Sequence, residues 1–517
     1  MGGGGGKFAD ARTCGDKRGL SGGRADSDGV AGAGWTGRWG RHGAAYGGGH
    51  GDDEGKRVKR RGGGTAAGRT TSAGTAAMCV AAMCVAAMCV AALAGLPAQQ
   101  AWAAGEPAPY AFAEDVRAVK GASTTSDAPQ LAAGGTYKDA VKRDGKLIYR
   151  VDLDDATNAY VSAVVVPKPG VKVAYRDELK LSLQDRDGTD CSSNSAQFGS
   201  AEFARPLAVY AYRTLGESSC QEAGSYYVVV ERESLSTSSQ EPWDLEIRHV
   251  LEPKLKAAGP TAAPEEWPSA SPEPPPGGPR ERAGGTSFSD APGLGEGEWT
   301  DRIKPGESRF YRVPVDWGQQ LYVSADLGSS SGDGFVGDAL PVSLYNPALG
   351  LVDSVNSLAY NGRQKSSSFD PLPPVRYENR FSSDSEQEHL RFAGWYYLRV
   401  SLNPKVGEKF GAKPYGLTLR VSLEGKAEPA PAYAGPPGIF AVTEEDRAAA
   451  ADGQSGTEAG RSGTMRLVAA GGIGAGTLLL LVLGAWTLLG RRRAAAGAPG
   501  APVSPDAPTQ YGPPTAW

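Results

Sequence analysis

The sequence predicts an all-β protein, with two tandem β-sandwich domains between a signal peptide and one C-terminal transmembrane helix. Three observations predict this class. Five short motifs in the middle of the chain occur twice in the same order, which indicates two copies of one domain. Apolar residues between the motifs alternate with period two, as strands with one buried face require. Long apolar runs flank the duplicated region on both sides.

The repeated motifs define the domain limits. Their pairs are Gly134-Gly135-Thr136 with Gly284-Gly285-Thr286, Tyr149-Arg150-Val151 with Tyr311-Arg312-Val313, Tyr160-Val161-Ser162-Ala163 with Tyr322-Val323-Ser324-Ala325, Ala223-Gly224-Ser225-Tyr226-Tyr227 with Ala393-Gly394-Trp395-Tyr396-Tyr397, and Pro242-Trp243-Asp244-Leu245 with Pro414-Tyr415-Gly416-Leu417. We therefore expect one sandwich over 128–250 and a second over 284–424.

Each domain has five strand candidates with an apolar face. In the first domain the faces are Leu147/Tyr149/Val151/Leu153, Val161/Ala163/Val165, Leu179/Leu181/Leu183, Tyr226/Val228/Val230 and Leu245/Ile247. In the second they are Tyr311/Val313/Val315, Val323/Ala325/Leu327, Val342/Leu344, Tyr396/Leu398/Val400 and Leu417/Leu419/Val421. Short strands separated by Gly, Pro and Asp are typical of a β-sandwich.

The closing strands of both copies resemble bacterial pre-peptidase C-terminal domains. Gly-x-Tyr-Tyr-x-x-Val followed by an aromatic-x-Leu-x-apolar strand is present at 223–230 with 243–247, and at 393–400 with 415–419. The opening strand of the family is similar to 306–313. The resemblance implies jelly-roll-like sandwiches that serve attachment or folding and not catalysis. Tandem copies with a C-terminal span also resemble single-pass membrane proteins of actinobacteria.

The N-terminal region divides into a Gly-rich arm and a predicted signal peptide. Residues 1–57 form a Gly-rich arm, which is either disordered or the product of a start assigned too far upstream of Val58. Residues 58–103 have the order of a secretory signal peptide, with Lys59-Arg60-Arg61, an apolar stretch and Ala101-Trp102-Ala103. We expect cleavage after Ala103. The alternative is an uncleaved N-terminal membrane helix.

The second apolar run predicts a membrane anchor. Residues 467–489, from Leu467 to Leu489, contain no charge and are long enough to span a bilayer. Arg491, Arg492 and Arg493 follow, which places the C-terminus in the cytoplasm and the N-terminus outside. Gly472 and Gly476 could pair two such helices into a dimer. The tail 490–517 is expected to be disordered, either inert or a docking peptide.

Pro-rich segments separate the predicted domains from each other and from the anchor. Residues 251–283 are expected to be an extended linker, and residues 425–464 a stalk above the membrane. The whole chain has a net charge of -4, and the part between signal peptide and anchor is more acidic than its ends. Such a segment does not favour nucleic acid as a partner.

The predicted exported part contains two cysteines, Cys191 and Cys220. An extracellular pair in one domain predicts a disulfide, although two free thiols remain the alternative. Nearby, Asp185, Asp187 and Asp190 offer carboxylates around a Gly turn, a weak calcium candidate. Their order is not that of an EF-hand loop, and a hairpin turn is the interpretation we favour. The sequence predicts no metal and no cofactor.

Strand parity suggests a binding surface. Tyr160, Tyr227, Tyr322 and Tyr397 oppose buried positions and are expected to face outwards, where they would bind a partner or pair across strands. No nucleophile, phosphate-loop or dinucleotide motif occurs. We therefore predict a non-enzymatic cell-membrane protein that binds cell-wall polymer or another surface protein. The alternatives are an accessory subunit of an exported enzyme or secretion complex, and an enzyme with an unrecognised site.

Overall fold

The computed structural model describes residues 107–275, 277–459, 476–489 and 492. The predicted arm at 1–57, the signal peptide at 58–103 and its cleavage site lie outside these residues. So do Leu467, Gly472, Arg491, Arg493 and the tail beyond Arg492. Of the predicted anchor the structure describes 476–489, which is helical with its leucines exposed. Within the described ranges, no helix combines the length and apolar character needed to cross a bilayer.

The first sandwich consists of two antiparallel sheets, apart from one parallel pair at an edge. Its strands are β1 (Arg117–Ala118), β2 (Thr136–Val141), β3 (Lys146–Leu153), β4 (Thr157–Val166), β5 (Glu178–Gln184), β6 (Asp190–Gln197), β7 (Leu207–Arg213), β8 (Gly224–Glu233) and β9 (Trp243–Pro253). One sheet has the order β1-β2-β9-β4-β7 and the other β3-β8-β5-β6. Only β1 and β2 run parallel among these pairs.

The second sandwich repeats this topology strand for strand. Its strands are β10 (Arg280–Glu281), β11 (Gly297–Ile303), β12 (Ser308–Val315), β13 (Gln320–Leu327), β14 (Val342–Tyr345), β15 (Leu351–Val355), β16 (Lys365–Ser368), β17 (Gly394–Ser401) and β18 (Tyr415–Glu424). The sheets have the orders β10-β11-β18-β13-β16 and β12-β17-β14-β15. The predicted all-β class is confirmed, and the duplication extends to the order of strands in each sheet.

Local hydrogen bonds are duplicated as well. The Tyr149 hydroxyl donates to Asp139 (2.8 Å) and the Tyr311 hydroxyl to Asp301 (2.6 Å). Each carboxylate also accepts a backbone N–H, from Gly121 and Gly284 respectively. This equivalence corrects the first predicted motif pair. The structural partner of Gly284-Gly285-Thr286 is therefore Gly121-Ala122-Ser123, because Gly121 and Gly284 make the equivalent hydrogen bond. The Gly-Gly-Thr at 134–136 matches by chance.

The predicted apolar faces form the two cores. Every residue of the ten faces packs into the core cluster of its own sandwich. The motif glycines, Gly224 and Gly394, begin β8 and β17 with φ of 154° and 135°, a conformation that favours glycine. At Gly394 a side chain would also strike the carbonyl oxygen of Ile439 at 2.4 Å. Alternation therefore predicted which side chains face inwards in each sheet.

Apart from the helical residues 476–489, the α-helices in the described residues are short and lie in the second sandwich or the strap. They are α1 (Ser385–His389), α2 (Pro404–Phe410) and α3 (Glu444–Asp452), with single 3-10 turns at Gly199–Ala201 and Tyr377–Phe381. Thr443 and Asp446 cap the N-terminus of α3 with reciprocal hydrogen bonds. The buried Ala449 and Ala450 of this helix pack on the second sandwich, and Gly293 permits this because a side chain there would meet the backbone of Ala450 at 2.7 Å.

The predicted linker and stalk pack back onto the sandwiches. In the linker, the Trp267 indole donates to the carbonyl of Pro371. In the stalk, Tyr433 and Phe440 are buried, and Leu255 forms a bridge with Tyr433. We call the described part of the stalk, 425–459, the strap. Proline and alanine predicted an extended chain, but two buried aromatic side chains supply apolar area that holds the strap against the protein.

Candidate functional site

The two sandwiches meet through an aromatic cluster. It consists of Tyr160, Tyr210, Tyr212, Phe392 and Phe440. The first three belong to β4 and β7, Phe392 precedes β17, and Phe440 comes from the strap. The rings of Tyr160 and Phe392 meet edge to face with centroids 5.0 Å apart, and those of Phe392 and Phe440 are 4.5 Å apart. Such contacts stabilise an interface beyond their apolar area.

A buried ion pair crosses the same interface. Glu252 of β9 is fully buried and accepts from both terminal nitrogens of Arg380, at 2.8 and 3.3 Å. Three further donors reach the same carboxylate, namely Asn158 Nδ2 (2.8 Å), the Tyr160 hydroxyl (2.8 Å) and the Tyr433 hydroxyl (2.9 Å). Burial alone would raise the pKa of Glu252, but the charge of Arg380 and these hydrogen bonds hold it below its usual range.

The interface corrects part of the predicted tyrosine surface. Tyr160 is 0% and Tyr397 9% exposed, so the expectation that these two face solvent is wrong. Parity placed them correctly on the outer faces of their sheets, but each outer face is covered by the other sandwich. Tyr227 and Tyr322 remain half-buried, and the Tyr322 hydroxyl donates to the carbonyl of Pro268 at 3.5 Å. A binding role for these two stays a prediction.

A cleft of about 670 Å³ lies where the two sandwiches diverge. Residues of both sandwiches and of the segment that precedes β1 line it. Prolines form much of its wall, namely Pro107, Pro109, Pro169, Pro305 and Pro404. The buried ring of Phe203 also contributes. The volume lies within the range of small-ligand sites, about 300–1,000 Å³.

Four exposed charged residues, two of each sign, line the cleft. Lys172 and Glu202 come from the first sandwich, and Lys405 and Glu408 from α2 of the second. Asn403 fixes the floor, because its side-chain amide donates to the carbonyls of Ala201 (3.4 Å) and Asp338 (3.2 Å). The hydrogen bond from Asn403 to Ala201 joins the second sandwich to the first at the cleft.

Two of the five described non-glycine residues with positive φ lie near the cleft. Glu202 has φ 47° and Asp338 φ 49°, a left-handed conformation that costs a non-glycine residue of order 1–3 kcal/mol. Both residues lie beside the Asn403 bridge, one on each sandwich. Strain of this kind persists only where the surrounding structure over-determines it, and it often clusters at binding sites. The shape of the cleft depends on how the two sandwiches dock, because both line it.

The ionisable side chains in the described lining of the cleft are two lysines and two glutamates. Its described lining contains no Ser, Cys, His or Tyr. In the part of the chain that the structure covers, no group of three or more His, Cys, Asp or Glu could hold a metal ion. At the weak calcium candidate, Asp185 instead accepts from the backbone N–H groups of Asp187 and Thr189, as in a hairpin turn.

The predicted disulfide is confirmed. Cys191 and Cys220 are joined, with their Cα atoms 5.6 Å apart. The bond ties the start of β6 to the loop before β8, and Cys220 has φ 58°. It lies at a second cavity of about 520 Å³, lined by Asp185, Asp187 and Glu222 among others.

Sequence reasoning missed the inter-sandwich contact, although one signal was present. Strand β4 is buried at every position from Asn158 to Val165, because one face enters its own core and the other contacts the second sandwich. A strand buried on both faces reads as a continuous apolar run. The run Ala163-Val164-Val165-Val166 is such a signal, whereas nothing comparable marks the prolines of the cleft.

Comparison with protein-family models and with curated proteins gives no match. Among solved structures, the chain is similar to an arabinose-bound MgGH51 α-L-arabinofuranosidase (11% identity, 22% of this chain, 19% of that chain, TM-score 0.16). It is also similar to the CBM22-1-CBM22-2 tandem domain of Paenibacillus barcinonensis Xyn10C (12% identity, 63% of this chain, 100% of that chain, TM-score 0.17). A third similar structure is that of the tandem CBM51 modules of a Streptococcus pneumoniae family 98 glycoside hydrolase (8% identity, 56% of this chain, 83% of that chain, TM-score 0.16). Such low TM-scores support no argument about function.

Proposed function

We propose that this chain is a non-enzymatic cell-surface protein whose two jelly-roll-like sandwiches act as one extracellular unit that binds cell-wall polymer in the cleft between them. The observation that carries the proposal is the cleft itself, which both sandwiches line. Proline walls lose little conformational entropy on binding, and charged groups of both signs at the rim suit a polymer with amino and carboxylate substituents.

An exported location is part of this proposal. The disulfide between Cys191 and Cys220 supports it, because disulfides persist in oxidising compartments and are rare in the cytosol. The signal peptide ending at Ala103 would direct the chain outwards, and residues 467–489 with Arg491, Arg492 and Arg493 would hold it in the membrane. Sequencing the N-terminus of the mature protein tests the first step, with Ala104 as the expected first residue.

Charge reversal at the cleft tests the binding site. The double variant Lys172→Glu/Lys405→Glu changes one exposed residue on each sandwich and leaves four acidic groups around the cleft. Lys365→Glu/Lys426→Glu is the matched control, since both lysines are exposed and absent from the cleft lining. Binding of the full chain to purified cell walls is measured by co-sedimentation at fixed ionic strength.

We expect the cleft variant to bind about tenfold or more weakly than wild type, because two favourable charges become unfavourable, and the control to bind normally. Equal binding by wild type and the cleft variant would contradict the proposed site. If wild-type protein does not sediment with walls but cross-links to one surface protein, the polymer is the wrong ligand.

A further inference from the structure

A separate cavity of about 290 Å³ lies where both sandwiches meet the strap. Arg248 of the first sandwich lines it, together with Arg312, Trp395 and Tyr397 of the second. Gly438, Ile439 and Asp446 of the strap close it. We call this cavity the arginine pocket. It shares no lining residue with the cleft, so inferences about the two sites are independent.

Arg312 makes few hydrogen bonds for a buried arginine. It is 6% exposed, and its guanidinium donates one hydrogen bond to a backbone carbonyl, that of Gln454 (3.1 Å). Its Nε has no partner in the described chain. By contrast, the guanidinium of Arg213 donates to two backbone carbonyls, and that of Arg232 to three and to a serine hydroxyl. A buried charge is costly unless it is paired and hydrogen-bonded.

The surroundings hold Arg312 in place without neutralising it. Its guanidinium lies 3.9 Å from the centroid of the Trp395 ring, and the Tyr397 hydroxyl lies against it. Within the described residues no carboxylate lies within ion-pair distance of either Arg312 or Arg248. Two guanidinium groups without a partner carboxylate therefore line one small cavity.

Three nearby acids, Asp446, Glu246 and Glu458, already accept hydrogen bonds from other groups, and Glu458 accepts from the backbone N–H of Ser455 (3.0 Å). Asp446 accepts from the Trp395 indole (2.7 Å) with one oxygen, and from the backbone and hydroxyl of Thr443 with the other. Glu246 accepts from the Tyr110 hydroxyl (3.3 Å) and the backbone of Ala113 (3.4 Å). Burial raises the pKa of Glu246, and the charge of Arg248 opposes this rise.

We propose that the arginine pocket binds a small oxyanion, a carboxylate or a phosphate group, between Arg248 and Arg312. The planar guanidinium matches both groups with paired N–H donors. The pocket lies at the lower limit of ligand-site volumes, so the anion is a small molecule or one terminal group of a larger one. Because Arg248 belongs to the first sandwich and Arg312 to the second, the bound anion would also link the two sandwiches.

Isothermal titration calorimetry of the full chain tests this with two probes, sodium phosphate and sodium acetate, at constant ionic strength set with sodium chloride. Arg248→Gln removes one guanidinium from a half-buried position at which it makes no ion pair in the described structure. Arg363→Gln is the control, because Arg363 is exposed and lies outside the pocket lining. Tyr397→Phe tests whether the hydroxyl contributes.

We expect wild type and Arg363→Gln to bind one equivalent of at least one probe, and Arg248→Gln to bind about tenfold or more weakly, as expected for the loss of charge-assisted hydrogen bonds. Binding of phosphate alone would identify a phosphoryl ligand, and binding of acetate alone a carboxylate ligand. The proposal is overturned if neither probe binds wild type, or if Arg248→Gln binds as tightly as wild type.

Discussion

The buried carboxylate of Glu252 should control the docking of the two sandwiches, and Glu252→Gln tests this. Five donor atoms from four residues converge on the carboxylate, within 2.8–3.3 Å. A glutamine oxygen accepts two hydrogen bonds, and its NH2 group would face donors. Arg380, with a side chain only 3% exposed, would also lose its counter-charge.

The expected cost follows from these contacts. Removing one partner of a buried ion pair costs about 3–5 kcal/mol of unfolding free energy. Tyr433→Phe removes one hydrogen bond to the same charged group and should cost less, about 1.5–3 kcal/mol. As a control, Glu231→Gln disrupts the more exposed pair with Lys146 and should cost less than about 1 kcal/mol.

Urea denaturation of the full chain, followed by tryptophan fluorescence, gives these differences. The pH dependence supplies a second readout. Because the folded pKa of Glu252 is lowered, its contribution is present above the unfolded value of about 4.3 and is lost as pH falls through the lower folded value. Glu252→Gln should lose this part of the acid sensitivity. A cost below about 1 kcal/mol, or a smaller cost than Tyr433→Phe, would refute the reasoning, because buried pairs lose 3–5 kcal/mol on such a change.

Three further variants test other parts of the structure. Burial lowers the pKa of His249, so the free energy of unfolding should fall as pH drops below about 6.5. The variant His249→Val copies Val421 of the second sandwich and should remove that loss, as measured by urea denaturation at pH 5 and pH 7. Cys191→Ser/Cys220→Ser should lower the free energy of unfolding by about 3–4 kcal/mol; an unchanged urea midpoint would argue against it. Phe440→Ala should cost about 3–5 kcal/mol and speed proteolysis within the strap, whereas unchanged cleavage would show that the strap does not depend on this ring.

Much of each sandwich was predictable, because local rules determine it. The alternation in Leu179, Leu181 and Leu183 predicted which side chains enter the core, and the structure confirms it. The cysteine pair was also predictable, since two cysteines in one domain have one way to pair. The first motif pair failed, because matching Gly-Gly-Thr triplets do not reveal which glycine donates to Asp139 or Asp301.

The candidate site was much less predictable. Parity correctly placed Tyr160 and Tyr397 on outer faces but could not show that the other sandwich covers them. The interface brings Glu252 against Arg380, residues far apart in the chain, and no periodicity relates them. The cleft is a consequence of this docking, since its walls belong to separate sandwiches.

By itself the sequence determined the all-β class, the duplication, the core faces and the disulfide. These follow from nearest-neighbour geometry: the two-residue period of a strand, the glycine that begins β8 and β17, and the count of cysteines. Only the tertiary structure decided which outer faces are buried, where the strap lies, and that a cleft and an arginine pocket exist. The physical reason is that these features arise from contacts between surfaces, and alternation specifies that a strand has two faces but not what covers the second one.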